Sequence, residues 1–354
     1  MSGQRVKYVD NLRWMTVSLL ILYHAAMAYN TWGEANYIFF GEEKPAAAVV
    51  TFISPWFMPL MFLLAGVSAR FSLRKRGYAV FIRERFLRLG IPFVFGIAVI
   101  APMLSYVGDV WHNGYSGGYF EHYGIFFSRF TDLTGYDGGF TLGHFWFLGV
   151  LIIVSLISCG VIAAGKKPPE SSRKKLRIAG GILLAVGAVA AFDYRPFGKQ
   201  IVTYLCVYLL GYYFFAEQNF TERLAKYRLI FGGLFIVFSA ANVILFIFAG
   251  GYETLNTLCC YAAFAAGIPA IVGFGKRHLD FSGRFTRFAA GVSYVFYIVH
   301  FPVVVLCQYL LSLGGIAGAV NLLLTLIITY PLTLGICFVI PKLPYVRVLF
   351  GLKK

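Results

Sequence analysis

Residues 10–30 read DNLRWMTVSLLILYHAAMAYN, an apolar stretch that contains one arginine, Arg13, and one histidine, His24. The stretch is long enough to cross a bilayer as an α-helix, which takes about 20 residues. At about 100° per residue, Arg13 and His24 lie on one helix face, about 16 Å apart along the axis. Ionisable groups inside a membrane are costly and usually serve a function. The stretch therefore predicts a membrane-spanning helix with two functional side chains.

The rest of the chain is equally apolar. Of its 354 residues, 59% are hydrophobic and only 13% are charged, which is unlike a soluble domain. Continuous apolar segments predict about ten transmembrane helices, at 13–30, 47–68, 89–108, 143–164, 177–192, 200–216, 229–250, 256–274, 289–312 and 317–341. The fold class expected is all-α, a polytopic membrane protein. We expect one transmembrane domain over residues 1–354, with no appended soluble domain.

The connectors between these segments carry a charge asymmetry. With the N-terminus in the cytoplasm, the cytoplasmic connectors and tails hold 26 of the 31 Lys and Arg residues, and the opposite connectors hold four. Basic residues collect on the cytoplasmic side of membrane proteins, so both termini are predicted to be cytoplasmic and connector 109–142 to lie outside. The net charge of +16 is then a consequence of topology, and we expect no nucleic-acid partner.

Histidines deep in the predicted spans are candidates for proton transfer. His24 and His300 lie well inside apolar segments. The alternative for each is a neutral histidine that hydrogen-bonds to a neighbouring helix. Arg13 lies closer to the cytoplasmic end of its helix, where extending its guanidinium to lipid phosphates is an alternative to a catalytic role. The alignment of Arg13 with His24 favours general acid–base chemistry over packing alone.

A group of arginines precedes the third span. Arg83, Arg85 and Arg88 occur in RERFLRLGIP, and guanidinium groups at a membrane surface can bind phosphate oxygens in a bidentate manner. The alternative is ordinary positive charge on a cytoplasmic connector. Read together with Arg13 and His24, these arginines suggest a route for a phosphorylated ligand from the cytosol towards the middle of the membrane.

Further candidates lie on the predicted outer side. His144 and Trp146, in GHFWFL at the start of the fourth span, could bind an extracytoplasmic acceptor or anchor the helix at the interface. Glu253 could act as the carboxylate partner of a histidine or be a solvated loop acid. The histidines lack the spacing of metal ligands, so no metal site is expected. All six cysteines fall within predicted spans, which suggests no disulfide framework.

These residues resemble the membrane-bound acyltransferase-3 family. The Arg-x10-His pattern of Arg13 and His24 is followed, in the family's order, by four further blocks and a C-terminal stretch: PWFMPLMFLLAG (55–66), RFLRLGIP (85–92), GHFWFLGVL (143–151), SYVFYIVHFPV (293–303) and IPKLPYVRVLFG (340–351). The wording is closest to the glucan succinyltransferase-like branch. That branch tends to carry a second histidine beside the one that matches His300, where this chain has Phe301, so succinyl specificity is not carried over.

The resemblance implies an O-acyltransferase of a bacterial inner membrane. Such a protein moves an acyl group from cytosolic acyl-CoA, here expected to be acetyl-CoA with succinyl as an alternative, to a hydroxyl of an extracytoplasmic glycan or other envelope acceptor. His24 would match the family's essential histidine, and Arg13, Arg85 and Arg88 its essential arginines. Some members carry an esterase-like domain that completes transfer; here a separate extracytoplasmic transferase partner could do so, or the chain could deliver the acyl group itself.

Two mechanistic questions stay open from the residues alone. His24 could act as a general base on the acceptor hydroxyl or form an acyl-histidine intermediate. A different class of protein, a proton-coupled transporter or flippase of an envelope precursor, would also use buried Arg and His side chains. Binding of acyl-CoA by the purified protein separates these classes, because an acyltransferase requires it and a transporter does not.

Overall fold

The computed structural model describes residues 6–165 and 170–352. Within these ranges the chain forms helices and connecting loops and no β-strand, so the all-α prediction is confirmed. The basic connector 166–177, which contributed to the orientation prediction, lies partly outside the described residues. The α-helices are α1 (Lys7–Met27), α2 (Lys44–Arg85), α3 (Ile91–Phe95), α4 (Ala101–Asn113), α5 (Tyr119–Ser128), α6 (Trp146–Ala164), α7 (Glu170–Ala190), α8 (Ile201–Leu210), α9 (Gln218–Lys226), α10 (Arg228–Val243), α11 (Glu253–His278), α12 (Arg284–Leu313), α13 (Gly318–Val339) and α14 (Val346–Leu349).

The described chain is a multi-pass membrane protein. Six of its helical segments are long and apolar enough to cross a bilayer: Lys44–Asn113, Gly143–Ala164, Arg228–Ala249, Glu253–His278, Arg284–Leu313 and Gly318–Lys342. The first of these contains two of the ten predicted spans, 47–68 and 89–108, whereas the predicted span 13–30 falls on α1, which is not one of the six. The two shortest predictions, 177–192 and 200–216, fall on shorter apolar helices, Arg177–Ala190 and Ile201–Phe215. A total of about ten spans and the cytoplasmic placement of the termini stay predictions.

Helix α2 is broken rather than straight. Its 42 residues would extend about 63 Å as one rod, twice the thickness of the hydrocarbon core. Gly77 interrupts it with φ 68° and ψ 169°, a conformation that essentially only glycine adopts. The break divides α2 into a long part that contains Pro55, Pro59 and the basic run 70–76, and a short part that ends at Arg85.

The chain divides into two compact units. The first contains residues 6–13, Phe52–Phe86 and Val150–Thr286. In this unit α2 and α8 approach very closely, because a Cβ atom on Gly66 would lie 2.0 Å from the carbonyl oxygen of Tyr208, and one on Gly211 would lie 2.2 Å from that of Leu63. Small residues of this kind allow membrane helices to pack backbone against backbone.

The second unit contains Trp14–Thr51, Leu87–Gly149 and residues 287–352. Buried polar side chains tie its helices together across their surfaces. Gln308 donates to the carbonyl oxygen of Ala25 at 3.0 Å, and the Tyr330 hydroxyl donates to that of Ser18 at 2.9 Å. These bonds hold α12 and α13 to the second half of α1, the part of that helix that carries His24.

Candidate functional site

Three histidines from distant parts of the sequence converge in the second unit. The ring centroid of His24, on α1, lies 5.3 Å from that of His300, on α12. His144, in the helical turn Gly143–Phe145 before α6, lies 5.2 Å from His300. We call these three side chains the histidine cluster. It brings together the two histidines expected deep in the spans and the one expected near the outer end of the fourth.

The members of the histidine cluster differ in accessibility. His300 is 0% exposed and His144 is 5% exposed, whereas His24 is partly exposed. Phe301 covers one face of the His24 ring, with centroids 4.0 Å apart and an angle of 29° between the planes. His24 is therefore the most exposed member of the cluster, and its ring is restrained by stacking.

Backbone carbonyl groups define which nitrogen of His300 carries a proton. Nδ1 of His300 lies 2.6 Å from the carbonyl oxygen of Tyr297, which only accepts, so Nδ1 is the donor. In the neutral ring Nε2 is then an acceptor, and this buried atom has no hydrogen-bond partner among the described residues. A buried acceptor without a donor is costly, so this atom is available to a donor from a neighbouring group, and Nδ1 of His122 is unpartnered in the same way.

His144 shows the same arrangement with its nitrogens exchanged. Its Nε2 donates to the carbonyl oxygen of Ile298 at 3.0 Å, which leaves Nδ1 as a buried acceptor without a partner in the described part of the chain. The hydroxyl of Tyr297 donates to the His144 carbonyl oxygen. The adjacent Phe145 packs so closely on Gly96 that a Cβ there would lie 2.4 Å from the ring, which fixes the turn that presents His144.

Arg13 is held in place within the first unit. Its guanidinium binds Asp10 at 3.0 Å and the hydroxyl of Ser68 at 2.6 Å, with 30% of the side chain exposed. Ser68 in turn donates to the carbonyl oxygen of Leu64. An arginine that simply extended to lipid phosphates would not need this network, so the side chain is oriented while part of its donor surface stays accessible.

The predicted arginine group is spread over two structural settings. Arg83 is exposed, and Arg85, at the end of α2, is partly buried with its guanidinium 4.9 Å from the centre of the Phe81 ring. Arg88 belongs to the following π-helical segment, Phe86–Gly90, and its side chain is exposed. The backbone of Arg88 is covered by Gly351, whose φ is 69° and where a Cβ would lie 2.6 Å from the Arg88 carbonyl oxygen.

Trp146 and Glu253 lie at the first residues of two helices. Trp146 begins α6, two residues after His144, and is partly exposed. Glu253 is exposed in the first turn of α11, in the first unit, whereas the histidine cluster lies in the second. Their assignment to the acceptor site stays a prediction.

A buried histidine–carboxylate pair in connector 109–142 was missed by the sequence reasoning. His122, 0% exposed, donates from Nε2 to Asp109 at 3.1 Å, and the same carboxylate accepts from Asn113 at 2.7 Å. Arg129 lies 3.7 Å from it. The sequence analysis predicted only that this connector lies outside, and the only signal for the pair is an acid and a histidine 13 positions apart.

No metal-binding group is found in residues 6–165 and 170–352. Three or more His, Cys, Asp or Glu side chains in suitable positions occur nowhere in these ranges. Nε2 of His144 and Nδ1 of His300 already donate hydrogen bonds to backbone carbonyl groups. One nitrogen of His144 and one of His300 are therefore left as acceptors.

Comparison with known protein families identifies the chain. The family model Acyl_transf_3, described as an acyltransferase domain, matches residues 6–341, nearly the whole sequence. No curated protein and no solved structure matches the chain. The helices long and apolar enough for a bilayer and the matched family agree on a membrane-bound acyltransferase. The chain therefore belongs to the acyltransferase-3 family.

Proposed function

We propose that this membrane acyltransferase transfers an acyl group, expected to be acetyl, from cytosolic acyl-CoA to a hydroxyl of an extracytoplasmic glycan or other envelope acceptor. The observation that carries the proposal is the histidine cluster. Its partly exposed member is His24, the residue that matches the family's essential histidine, and its two buried members each offer an unpartnered acceptor nitrogen. The proposed location is the bacterial inner membrane.

His24 is proposed to act as the general base. A neutral imidazole nitrogen accepts the proton of the acceptor hydroxyl as its oxygen attacks the thioester carbonyl. The carbon–sulfur bond breaks, and the thiolate leaves with coenzyme A and is then protonated. The free Nε2 of His300 can accept a hydrogen bond from the second nitrogen of His24, which would stabilise the imidazolium as it forms.

The donor is proposed to enter from the cytoplasmic side. Arg13 lies eleven residues before His24 on the uninterrupted α1, so about 16 Å of helix axis separates them, comparable to the reach of a pantetheine arm. Arg85 and Arg88, with Arg83 beside them, would hold the phosphates by charged hydrogen bonds. Arg13, already oriented by Asp10 and Ser68, would contact the donor closer to the thioester.

The acceptor is proposed to enter from the outer side. It would pass Trp146 and reach the exposed part of His24, beside which the buried rings of His144 and His300 lie. Glu253 is proposed to contact the acceptor from the outer surface. Direct transfer and an acyl-histidine intermediate both satisfy this arrangement. Mass spectrometry of protein mixed with donor alone distinguishes them, because only the second route leaves an acylated His24 peptide.

The proposal is tested with purified His24→Ala protein. We expect transfer to fall by roughly 10²- to 10⁴-fold, the usual contribution of a general base, while acyl-CoA still binds. His278→Ala is the matched control, since His278 is exposed at the end of α11 in the first unit. Near-normal transfer by His24→Ala would reject the base assignment, and absence of acyl-CoA binding by the unaltered protein would reject the proposed donor.

A further inference from the structure

The first unit contains an open cleft. None of the arginines discussed above is among the residues that line it. Its volume is about 700 Å³, within the range of sites for small ligands and cofactors. Four cationic side chains line it, Lys7 from α1, Arg70 and Arg74 from α2, and Lys276 from α11. Elements far apart in the sequence therefore present positive charge to one space.

Two of these cations are compensated within the protein. Arg70 binds Glu217 at 3.2 Å and donates to the carbonyl oxygen of Tyr212 at 3.1 Å. Lys276 binds Asp280 at 2.9 Å. Glu217 and Asp280 also line the cleft, but each carboxylate is already occupied by a cation, so neither presents a free negative charge to a ligand.

The other two cations have no acidic partner among the residues that the structure describes. The ion pairs found there include neither Lys7 nor Arg74, and both side chains are exposed. The cleft thus carries four positive and two negative side chains, with the excess on Lys7 and Arg74. Such a concave basic surface attracts anions, and arginine in particular suits phosphate geometry.

Two further features of the cleft wall favour an anionic ligand. Gln218 and Asn219, the first residues of α9, line the cleft, and the first N–H groups of a helix have no partner within it. Val67 also lines the cleft, and its neighbour Ser68 is the residue bonded to Arg13. One lining residue of the cleft is therefore adjacent in sequence to the residue that binds Arg13, which the proposed function assigns to the acyl donor.

We propose that this cleft is a phosphate-binding site whose selective contacts come from Lys7 and Arg74. Two sources can supply the phosphate, the phosphoadenosine end of the acyl donor or the headgroup of an anionic phospholipid. The first source rests on the proposed function, and the second does not. In either case charge, rather than apolar contact, provides the recognition.

The test compares two neighbouring charge reversals, Arg74→Glu and Lys75→Glu. The two residues are adjacent and exposed and change the net charge equally, but only Arg74 lines the cleft. Binding of adenosine 3′,5′-bisphosphate is measured on the full-length protein in detergent, and thermal stabilisation is measured in nanodiscs of phosphatidylglycerol against phosphatidylcholine. Lys7→Ala gives a second, independent variant at the cleft.

If the donor occupies the cleft, Arg74→Glu and Lys7→Ala weaken bisphosphate binding by tenfold or more, whereas Lys75→Glu does not. If a lipid occupies it, the same two variants lose the phosphatidylglycerol-dependent stabilisation and keep bisphosphate affinity. Equal behaviour of Arg74→Glu and Lys75→Glu in both assays would overturn the proposal. Neither assay measures acyl transfer. A failure of the proposed function, tested with His24→Ala, is therefore distinguished from a failure of the phosphate-binding proposal, tested with Arg74→Glu and Lys7→Ala.

Discussion

Histidines in the second unit occupy two contrasting environments. In the histidine cluster, His144 and His300 donate to backbone carbonyl groups and keep one acceptor nitrogen free. In connector 109–142, His122 donates to the carboxylate of Asp109, which also accepts from Asn113. Both environments are buried, but only the second supplies a negative charge to the imidazole.

We interpret the histidine cluster as a site for chemistry and the Asp109–His122 pair as a structural contact. Asp109 lies at the end of α4 and its partners lie along the connector, so the carboxylate fixes how the connector folds back. His122 is fully buried, which leaves no surface for a substrate. In the cluster one ring, that of His24, is accessible, and its neighbours provide proton acceptors rather than a fixed charge. We therefore expect substitutions in the cluster to affect rate and those in the connector to affect stability.

The largest expected effect comes from comparing His24→Gln with His122→Gln. Loss of the general base should lower the transfer rate by roughly 10²- to 10⁴-fold without lowering the unfolding temperature. His122→Gln should lower the unfolding temperature, because it removes the imidazole that donates to the buried Asp109 carboxylate, and leave the rate per folded molecule near normal. Rates normalised to folded protein test this contrast, and equal rates for the two variants would contradict it.

Substitution of His24 or His122 should leave the affinity for the acyl donor unchanged. Substitution of Arg85 and Arg88 should weaken it. Each charged hydrogen bond contributes about 1.5–3 kcal/mol, so the Arg85→Ala, Arg88→Ala double variant should bind acyl-CoA roughly ten- to a hundredfold more weakly. The double lysine variant should recover only part of this, since bidentate geometry is lost. Equilibrium binding of acyl-CoA measures the affinity of both variants. Unchanged affinity of the double alanine variant would mean that these arginines contribute only to membrane topology.

A smaller effect is expected at His300, which we assign a positioning role. His300→Leu removes the free acceptor beside His24 and should slow transfer by up to about tenfold, the value of one net hydrogen bond. His300→Gln keeps an acceptor oxygen and should restore part of the rate. The pH dependence of the rate should also shift in the leucine variant, because the His24 imidazolium loses its acceptor. Identical pH profiles for the two variants would indicate a packing role alone.

The sequence predicted the helical class and the chemistry more readily than their arrangement. Long apolar segments predict helices directly. His24 and His300 stand out within such segments because ionisable groups are costly in a membrane. The convergence of His144 on them depends on contacts between residues more than 100 positions apart, which periodicity does not encode. The stacking of Phe301 on His24 is likewise a tertiary fact.

Local irregularities were also beyond the sequence reasoning. A glycine in an apolar or basic run does not reveal a positive φ, so the break of α2 at Gly77 was not predicted. The Asp109–His122 pair lies in a connector for which the sequence predicted only an outer location. Its burial depends on how that connector folds onto α4, and neither residue type nor spacing contains this information.

The smallest expected effect is a pH dependence of stability that originates in the connector. Burial lowers the pKa of His122 from its usual 6.5, and Asp109 opposes this shift while Arg129 adds to it. Between the lowered pKa and 6.5 the unfolded chain binds more protons than the folded one, so stability decreases as the pH falls below 6.5. The unfolding temperature of the detergent-solubilised protein should therefore drop between pH 7 and pH 5, and less so in His122→Gln, which cannot titrate. His278→Gln, which replaces an exposed histidine, should keep the full dependence. A dependence that is equally steep in His122→Gln would place its origin in other groups.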